Sequence, residues 1–137
     1  MAKPKQIELS DGTVIPILYE DRNVLALDKP SGWMLAPNTW IHTSRNLQLA
    51  LESSMMGGDF WAKSRNLKFI RYIHRLDADA SGILLMARNP SVLSVLGSLF
   101  EERVVEKHYY AVIEGVPSQK EWECSLPLSE KIPARKS

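Results

Sequence analysis

The chain has 137 residues, with 17 Lys or Arg and 16 Asp or Glu, and a formal net charge of +1. This length allows one hydrophobic core without disulfides and makes two full domains unexpected. The single cysteine excludes an internal disulfide framework and a multi-cysteine zinc site. No apolar run approaches the about 20 residues of a membrane-spanning helix. The first residues lack the apolar stretch of a signal peptide, so we expect a cytoplasmic protein.

A β-hairpin is the first predicted element. Two short apolar segments, 17–20 and 24–28, flank the turn-forming sequence Asp-Arg-Asn at 21–23. The sequence Lys-Pro-Ser-Gly at 29–32 should end the second strand, because Pro lacks a backbone donor and Gly permits a positive φ. We therefore expect a loop from Asp28 to Asn38.

An amphipathic helix should follow this loop. Apolar residues recur at three- and four-residue spacing between Leu47 and Met55, Thr43 or Ser44 can cap the helix, and the glycine pair at 57–58 stops it. Three tryptophans in the predicted loops could stack on a nucleic acid. We expect instead that they cover edges of the core; they are Trp33, Trp40 and Trp61.

The middle of the chain predicts two strands and a second helix. A strand over Lys68–Ile73 delivers His-Arg-Leu-Asp at 74–77 onto a loop. The unbroken apolar run Ile83–Ala87 is typical of a strand buried on both faces. Asn89-Pro90 is a typical helix start, and the apolar residues between Val92 and Phe100 predict a helix that covers the sheet.

The end of the chain predicts a closing hairpin. Segments 106–114 and 120–126 alternate around the sequence Gly-Val-Pro-Ser-Gln, and Cys124 would be a small core residue within the second strand. Hairpins with two covering helices indicate an α+β fold with a mixed, mainly antiparallel sheet. Unpaired strands at the edges of such a sheet would favour self-association.

A run of basic residues leads into the loop at 74–77. Five cations follow one another with no acidic residue between Asp59 and Asp77: Lys63, Arg65, Lys68, Arg71 and Arg75. Such a run is most simply a solvated face, since Lys and Arg are mostly surface residues. Its position before Asp77 also suits the steering of a polyanion through phosphate contacts, to which Lys29 could add.

Asp77 is the candidate reactive carboxylate. Arg75 beside it favours the ionised form, in which a carboxylate acts as nucleophile or base. The alternative is an Arg–Asp ion pair that only braces the loop. The three histidines, at 42, 74 and 108, lack the spacing of metal ligands, so no metal site is expected, and His74 is better explained as a structural residue.

The sequence HRLDADASGILL at 74–85 resembles the signature of RluA-type RNA pseudouridine synthases, which reads His-Arg-Leu-Asp, two variable residues, Thr-Ser-Gly and an apolar run. Three further segments resemble the same family in the same order: YEDRNVLALDKPSG at 19–32, ARNP at 87–90 and KHYYAVIEG at 107–115. The resemblance runs from about Ile17 to Gly115.

The resemblance implies isomerisation of uridine to pseudouridine in ribosomal or transfer RNA without a cofactor. The base leaves the ribose, turns, and is rejoined through carbon 5. Asp77 would act on the ribose as nucleophile or base, and Arg75 would enter the RNA where the extruded base had been. Tyr109 would stack on the target base, whereas Tyr110, facing the other way, would pack in the sheet.

Two departures from the family pattern bear on activity. Ala80 replaces the Thr of the signature and removes a hydroxyl from the loop. The family's later basic residue, which pairs with the catalytic carboxylate, and its His-Gln-Ile-Arg-like segment have no counterpart before Ser137. We therefore expect residues 1–137 to form one partial catalytic domain. The sequence leaves two hypotheses, a pseudouridine synthase or its N-terminal portion, and a non-catalytic RNA-binding module or inactive truncated relative.

Overall fold

The computed structural model describes residues 2–35 and 45–129, and the chain divides into two units, Met1–Glu106 and Lys107–Ser137. The helices and strands of the described residues lie in the first unit. In chain order they are β1 (Gln6–Glu8), β2 (Val14–Glu20), β3 (Val24–Lys29), α1 (Leu47–Met56), α2 (Phe60–Lys63), β4 (Arg71–Tyr72), β5 (Gly82–Ala87) and α3 (Pro90–Glu101).

The five strands form one sheet in the order β1-β2-β3-β5-β4, with antiparallel pairing between neighbours. The predicted hairpin is confirmed as β2 and β3. Asp21 closes its turn, because its Oδ1 accepts the backbone N–H groups of Asn23 at 2.7 Å and Val24 at 2.9 Å. The α+β fold class is therefore confirmed, while β1 and α2 were not predicted.

The core lies on one face of this sheet. Leu25 and Leu27 of β3 pair with Met86 and Leu84 of β5, and all four are buried together with Leu51 of α1. Trp33 and Trp61 are also buried, as expected, and Trp40 lies outside the described residues. The prediction that β5 is buried on both faces is wrong, because Ile83 is 63% exposed. An apolar run identifies the strand but does not identify what covers each face.

Helices α1 and α3 each begin after an asparagine whose side chain caps the helix. Only the second of these two caps was predicted from the sequence. Asn46 caps α1 by accepting the Leu49 N–H at 3.1 Å; Thr43 and Ser44, the predicted caps, lie outside the described residues. Gly57 ends α1 as predicted. Asn89 caps α3 by accepting the Val92 N–H at 2.9 Å, which confirms the predicted start.

Helix α3 covers the sheet less completely than predicted, although its Phe100 ring stacks on His74, which bonds to Leu85 of β5. None of its residues is buried, and Val95 is 64% exposed. The apolar period predicts which side of the helix is apolar, but it does not predict how deeply that side will be buried.

Strand β4 is shorter than the predicted strand over Lys68–Ile73. A side chain supplies the hydrogen bonds that a neighbouring strand would make: Gln48 Nε2 donates to the Ile70 carbonyl at 2.8 Å, and its Oε1 accepts the Tyr72 N–H at 3.1 Å. Gln48 is buried, so its amide is satisfied by this bridge and by Glu52.

The second unit differs from the prediction. Its described residues, 107–129, contain neither helix nor strand, so the closing hairpin is wrong. Cys124 and Tyr110 are exposed, which contradicts their assignment to the core and to strand packing. Alternating residues form strands only where a neighbouring strand satisfies their backbone groups, and no such ladder is present along this stretch.

Arg65 joins three segments of the first unit. Its guanidinium makes two bonds to the Glu20 carboxylate, at 2.8 and 2.9 Å, and donates to the carbonyls of Trp61 and Pro4. Arg65 is buried, so its prediction as a surface cation is wrong. The hydrogen bonds from Arg65 lower the pKa of Glu20 below its ordinary value of 4.5.

The substitution Glu20→Gln is expected to lower the free energy of unfolding by about 1–3 kcal/mol at pH 7, since a buried guanidinium loses its charged partner. Because the folded pKa of Glu20 is lowered, its contribution is present above pH 4.5 and is lost as pH falls through the folded value. Urea titrations between pH 7 and pH 3 measure this difference. Glu8 is exposed, and Glu8→Gln is the control. If the loss of unfolding free energy in Glu20→Gln were as large at pH 3 as at pH 7, it would not come from the ionised carboxylate of Glu20.

Candidate active site

The loop between β4 and β5 presents Arg75 and Asp77 outward. Leu76 between them is buried, while both charged residues are exposed. His74 Nε2 accepts the Leu85 N–H at 3.1 Å, and its ring stacks on Phe100 with centroids 4.6 Å apart. These contacts of His74 fit a structural role. The motif is thus held at residues 74 and 76 and open at residues 75 and 77.

Asp77 begins a tight turn that a second loop holds. The Ala80 N–H donates to the Asp77 carbonyl at 3.0 Å, which closes the turn at 77–80. The Gly32 N–H donates to the Ala78 carbonyl at 2.7 Å, and Ser31 Oγ donates to the Asp79 carbonyl at 2.8 Å. The Lys-Pro-Ser-Gly loop and the turn carrying Asp77, remote in sequence, therefore form one unit.

Gly32 is required by its backbone conformation. Its φ of +91° lies in the left-handed region that side chains disfavour, and a Cβ would approach Arg45 Nη1 at 3.2 Å. The glycine lets the 29–32 loop direct its N–H at the Ala78 carbonyl.

Lys29 lies beneath the turn at 77–80 and is fully buried, with 0% exposure. Its Nζ donates to the carbonyls of Pro30 at 3.0 Å, Ala78 at 3.1 Å and Ala80 at 2.7 Å. Burial lowers the pKa of Lys29, while the charges of Asp79 and Asp77 act in the opposite direction. The suggested phosphate contact of Lys29 is wrong, because its ammonium is enclosed by carbonyls.

The loop-bracing ion pair considered for Asp77 is not formed. Glu20 pairs with Arg65 and with Arg88, and between the described residues no ion pair joins Asp77 to Arg75. The Asp77 carboxylate therefore remains available on an exposed turn above a buried positive charge.

The first unit has two open hollows that are lined by residues other than Asp77. Their volumes are about 520 and 590 Å³, and both are lined in part by Leu9, Ser10 and Asp59. Asp77 lines neither. It stands on the open surface of its unit, where a large substrate can reach it.

The basic run is mostly exposed. Lys63, Lys68, Arg71 and Arg75 are exposed, whereas Arg65 is not. The Arg71 guanidinium lies 5.0 Å from the centroid of the Tyr72 ring, a cation–π contact. We call these four residues the basic strip.

Tyr109 belongs to the second unit, where its side chain is exposed. Its stacking on a target base stays a prediction. Among the residues that the structure describes, none forms part of a group of three or more His, Cys, Asp or Glu suited to a metal ion. None of the helices over the described ranges is long and apolar enough to cross a membrane.

Known proteins match the part of the chain that contains Arg75, Asp77 and Tyr109. Residues 23–137 match the family described as RNA pseudouridylate synthase. The chain is 37% identical over 121 residues to an uncharacterized RNA pseudouridine synthase of Zymomonas mobilis, covering 88% of this chain and 50% of that protein. It is 31% identical over 122 residues to the dual-specificity RNA pseudouridine synthase RluA of Vibrio cholerae, covering 88% and 44%.

A third relative is the ribosomal large subunit pseudouridine synthase C of Vibrio vulnificus, 35% identical over 112 residues, covering 82% of this chain and 30% of that protein. The chain therefore spans half or less of the length of these curated relatives.

Proposed function

Because the chain belongs to the RNA pseudouridylate synthase family, we propose that the protein isomerises uridine to pseudouridine in structured ribosomal or transfer RNA. The observation that carries this proposal is the exposed Asp77 carboxylate, on a turn held by a buried Lys29, within the matched residues. Asp77 is the reacting carboxylate of the proposal.

The proposed reaction exchanges one bond of the ribose for another. The bond between carbon 1′ and nitrogen 1 breaks, the base turns, and carbon 5 forms the new bond to carbon 1′. Carbon 5 loses its proton and nitrogen 1 gains one, so the product has the composition of the substrate. Asp77 starts the reaction either by attacking the ribose or by removing a proton from it.

Arg75 and Tyr109 handle the extruded base in this proposal. Extrusion costs a few kcal/mol because the base leaves its stack. Arg75, exposed two residues before Asp77, fills the vacated position with a planar cation that stacks and contacts phosphate. Tyr109 stacks on the target base.

The choice of RNA follows the names of the relatives, which refer to the ribosomal large subunit and, for RluA, to dual specificity. A cytoplasmic location and self-association through sheet edges belong to the same proposal. The first is supported by the location of ribosomal and transfer RNA, and the second by the general tendency of open sheet edges to pair.

The proposed function is tested with RNA carrying tritium at carbon 5 of uridine. Formation of the new carbon–carbon bond releases this tritium to water, so we expect its release by the protein of the whole reading frame. The 137-residue chain is assayed in parallel. RNA binding without tritium release from ribosomal or transfer RNA would support the non-catalytic module instead.

Replacing three cations of the basic strip, Lys63, Lys68 and Arg71, by Gln is expected to weaken RNA binding. Each lost phosphate contact lowers the slope of log affinity against log salt concentration by about 1, so we expect a decrease of about 2 to 3. Filter binding from 50 to 300 mM salt, about the range over which such contacts weaken, measures the slope. Arg22→Gln, at the exposed β2–β3 turn, is the matched control. An unchanged slope would mean that these three residues of the basic strip make no phosphate contacts and form only a solvated face.

A further inference from the structure

We propose that two copies of the protein pair through their β1 strands, antiparallel and about a two-fold axis at Ile7. This inference rests on the self-association included in the proposed function, to which it gives a defined edge, partner and register. The partner is a second copy of this chain, and the pairing requires neither RNA nor catalysis.

The backbone groups of Gln6 and Glu8 point away from the sheet. In the antiparallel pair of β1 and β2, the Ile17 N–H donates to the Lys5 carbonyl at 2.9 Å. Residues that alternate with Lys5 along the strand therefore direct their N–H and C=O groups to the other side. Gln6 accordingly lies opposite Pro16, which has no N–H to share. Among the described strands β1 is at the end of the order, so no neighbouring strand there satisfies these outward groups.

The two edges of the sheet differ in this respect. At the β4 edge, the side chain of Gln48 bonds to the Ile70 carbonyl and the Tyr72 N–H. At the β1 edge, open space adjoins the strand, because Gln6 and Glu8 line the hollow of about 590 Å³. Strand β1 is therefore the edge at which a second strand can be added.

Hydrogen bonding selects one register for this addition. With Ile7 opposite its own copy, Gln6 of each chain faces Glu8 of the other, and each of these pairs exchanges two backbone bonds. An axis at Gln6 would instead place Glu8 opposite Pro4. Pro4 has no N–H, and its carbonyl accepts from Arg65 at 2.6 Å. An axis at Glu8 would place two like charges opposite each other, so the register about Ile7 is favoured.

The charges around β1 favour the same arrangement. Lys5 precedes the paired residues and Glu8 ends them, and both side chains are exposed. Lys3 and Asp11, also exposed, extend this polarity on either side. Antiparallel pairing places the basic end of one strand beside the acidic end of the other, whereas parallel pairing places like charges together. The strand is therefore complementary to itself in one direction only.

The proposed dimer is closed and lies apart from the Asp77 turn. Each copy contributes one β1 edge, so pairing uses both edges and does not continue to a third copy through β1. Strands β2 and β3 lie between β1 and β5, the strand that follows the Asp77 turn. With neighbouring strands about 4.8 Å apart, β1 and β5 are separated by about 14 Å. We therefore expect pairing to leave RNA access to Asp77 unchanged.

Analytical ultracentrifugation of the protein of the whole reading frame, without RNA, measures the association. We expect a monomer–dimer equilibrium with a midpoint between about 1 µM and 1 mM, the range of weak complexes. Gln6→Pro removes the outward N–H without a change of charge and should weaken the dimer at least about tenfold, because two bonds are lost. Gln6→Ala keeps the N–H and is the matched control. A monomer throughout this range, or a dimer that Gln6→Pro leaves unchanged, would overturn the proposal.

Amide hydrogen exchange determines whether β1 itself forms the interface. The N–H groups of Gln6 and Glu8 should exchange at least about threefold more slowly at a concentration that favours the dimer. The Leu9 N–H, which bonds to the Thr13 carbonyl at 2.8 Å, is the internal reference and should not change. The same N–H reports whether Gln6→Pro keeps β1 folded. Equal exchange of Gln6 and Glu8 at low and high concentration would place the interface elsewhere and overturn the proposal.

Charge reversal tests the antiparallel direction without altering the backbone. Lys5→Glu and Glu8→Lys each bring like charges together in the homodimer, so each should weaken it about threefold or more. A mixture of the two variants restores opposite charges and should pair about as tightly as the wild type. Homodimers as stable as wild type, or a mixture that pairs no more tightly than either variant alone, would contradict the antiparallel arrangement.

The dimer and the reaction are tested separately. If the protein forms pseudouridine but stays monomeric, this inference fails alone. If it forms the β1 dimer but no pseudouridine, the dimer is supported while the proposed function fails.

Discussion

Asp77→Asn is expected to abolish pseudouridine formation while leaving the fold and RNA binding intact. The loss should be at least about 10²- to 10⁴-fold, the contribution of a positioned acid–base group, and larger if the carboxylate forms a covalent bond. The side chain is exposed and makes no ion pair within the described ranges, so stability should change by no more than about 0.5 kcal/mol. Single-turnover tritium release measures the rate, and urea titration measures the stability.

Asp79→Asn is the matched control for this experiment. Asp79 is exposed, lies two residues further along the same turn, and also acts electrostatically on Lys29. Both variants remove one negative charge from the turn. Equal rate losses in the two variants would contradict the assignment of the reaction to Asp77 and would indicate an effect of charge alone.

Leu84→Ala should destabilise the first unit more than any surface change considered above. Leu84 is fully buried and pairs with the buried Leu27. Its truncation to Ala is therefore expected to lower the free energy of unfolding by about 2–5 kcal/mol. The preceding residue, Ile83, points to the other face of the same strand and is largely exposed. Ile83→Ala should therefore cost less than about 1 kcal/mol.

Urea titrations of these two variants compare the faces of β5 directly. A loss at Ile83 equal to that at Leu84 would mean that β5 is covered on both faces in solution, as the apolar run first suggested. Wild-type RNA affinity in Ile83→Ala would serve as a check that the neighbouring loop is undisturbed.

The features predicted correctly depend on residues close together in the chain. The Asp-Arg-Asn turn placed the β2–β3 hairpin, because Asp21 bonds to residues two and three positions away. Asn89 and Pro90 identified the start of α3 for the same reason. The family signature around Asp77 was long enough to be specific, and the family is confirmed.

The features that were missed depend on distant partners. Nothing in the sequence Lys-Pro-Ser-Gly indicates that the lysine is buried. In the structure, Lys29 donates to the carbonyls of Ala78 and Ala80, about fifty positions later in the chain. Arg65 belonged to a run of surface cations in the sequence and is instead enclosed by Glu20 and two carbonyls. Alternation over 106–126 indicated strands, but a strand also needs a neighbour, which sequence alone does not supply.

In the candidate site, too, the features set by neighbouring residues were predicted and the contacts with distant residues were not. The motif identified the exposed pair Arg75 and Asp77, whereas the contacts that hold them came only from the structure. The roles of Arg75, Asp77 and Tyr109 stay predictions, which the tritium assay, the Asp77→Asn comparison and RNA binding address separately.

The amide of Gln48 also limits how another molecule can lengthen the sheet. An extended peptide that approaches the outer side of β4 meets an Ile70 carbonyl and a Tyr72 N–H that are already engaged. It must displace a side chain rooted in α1 before its own backbone can bond there. The side chain of Gln48 thus disfavours β-augmentation at the β4 edge of the sheet.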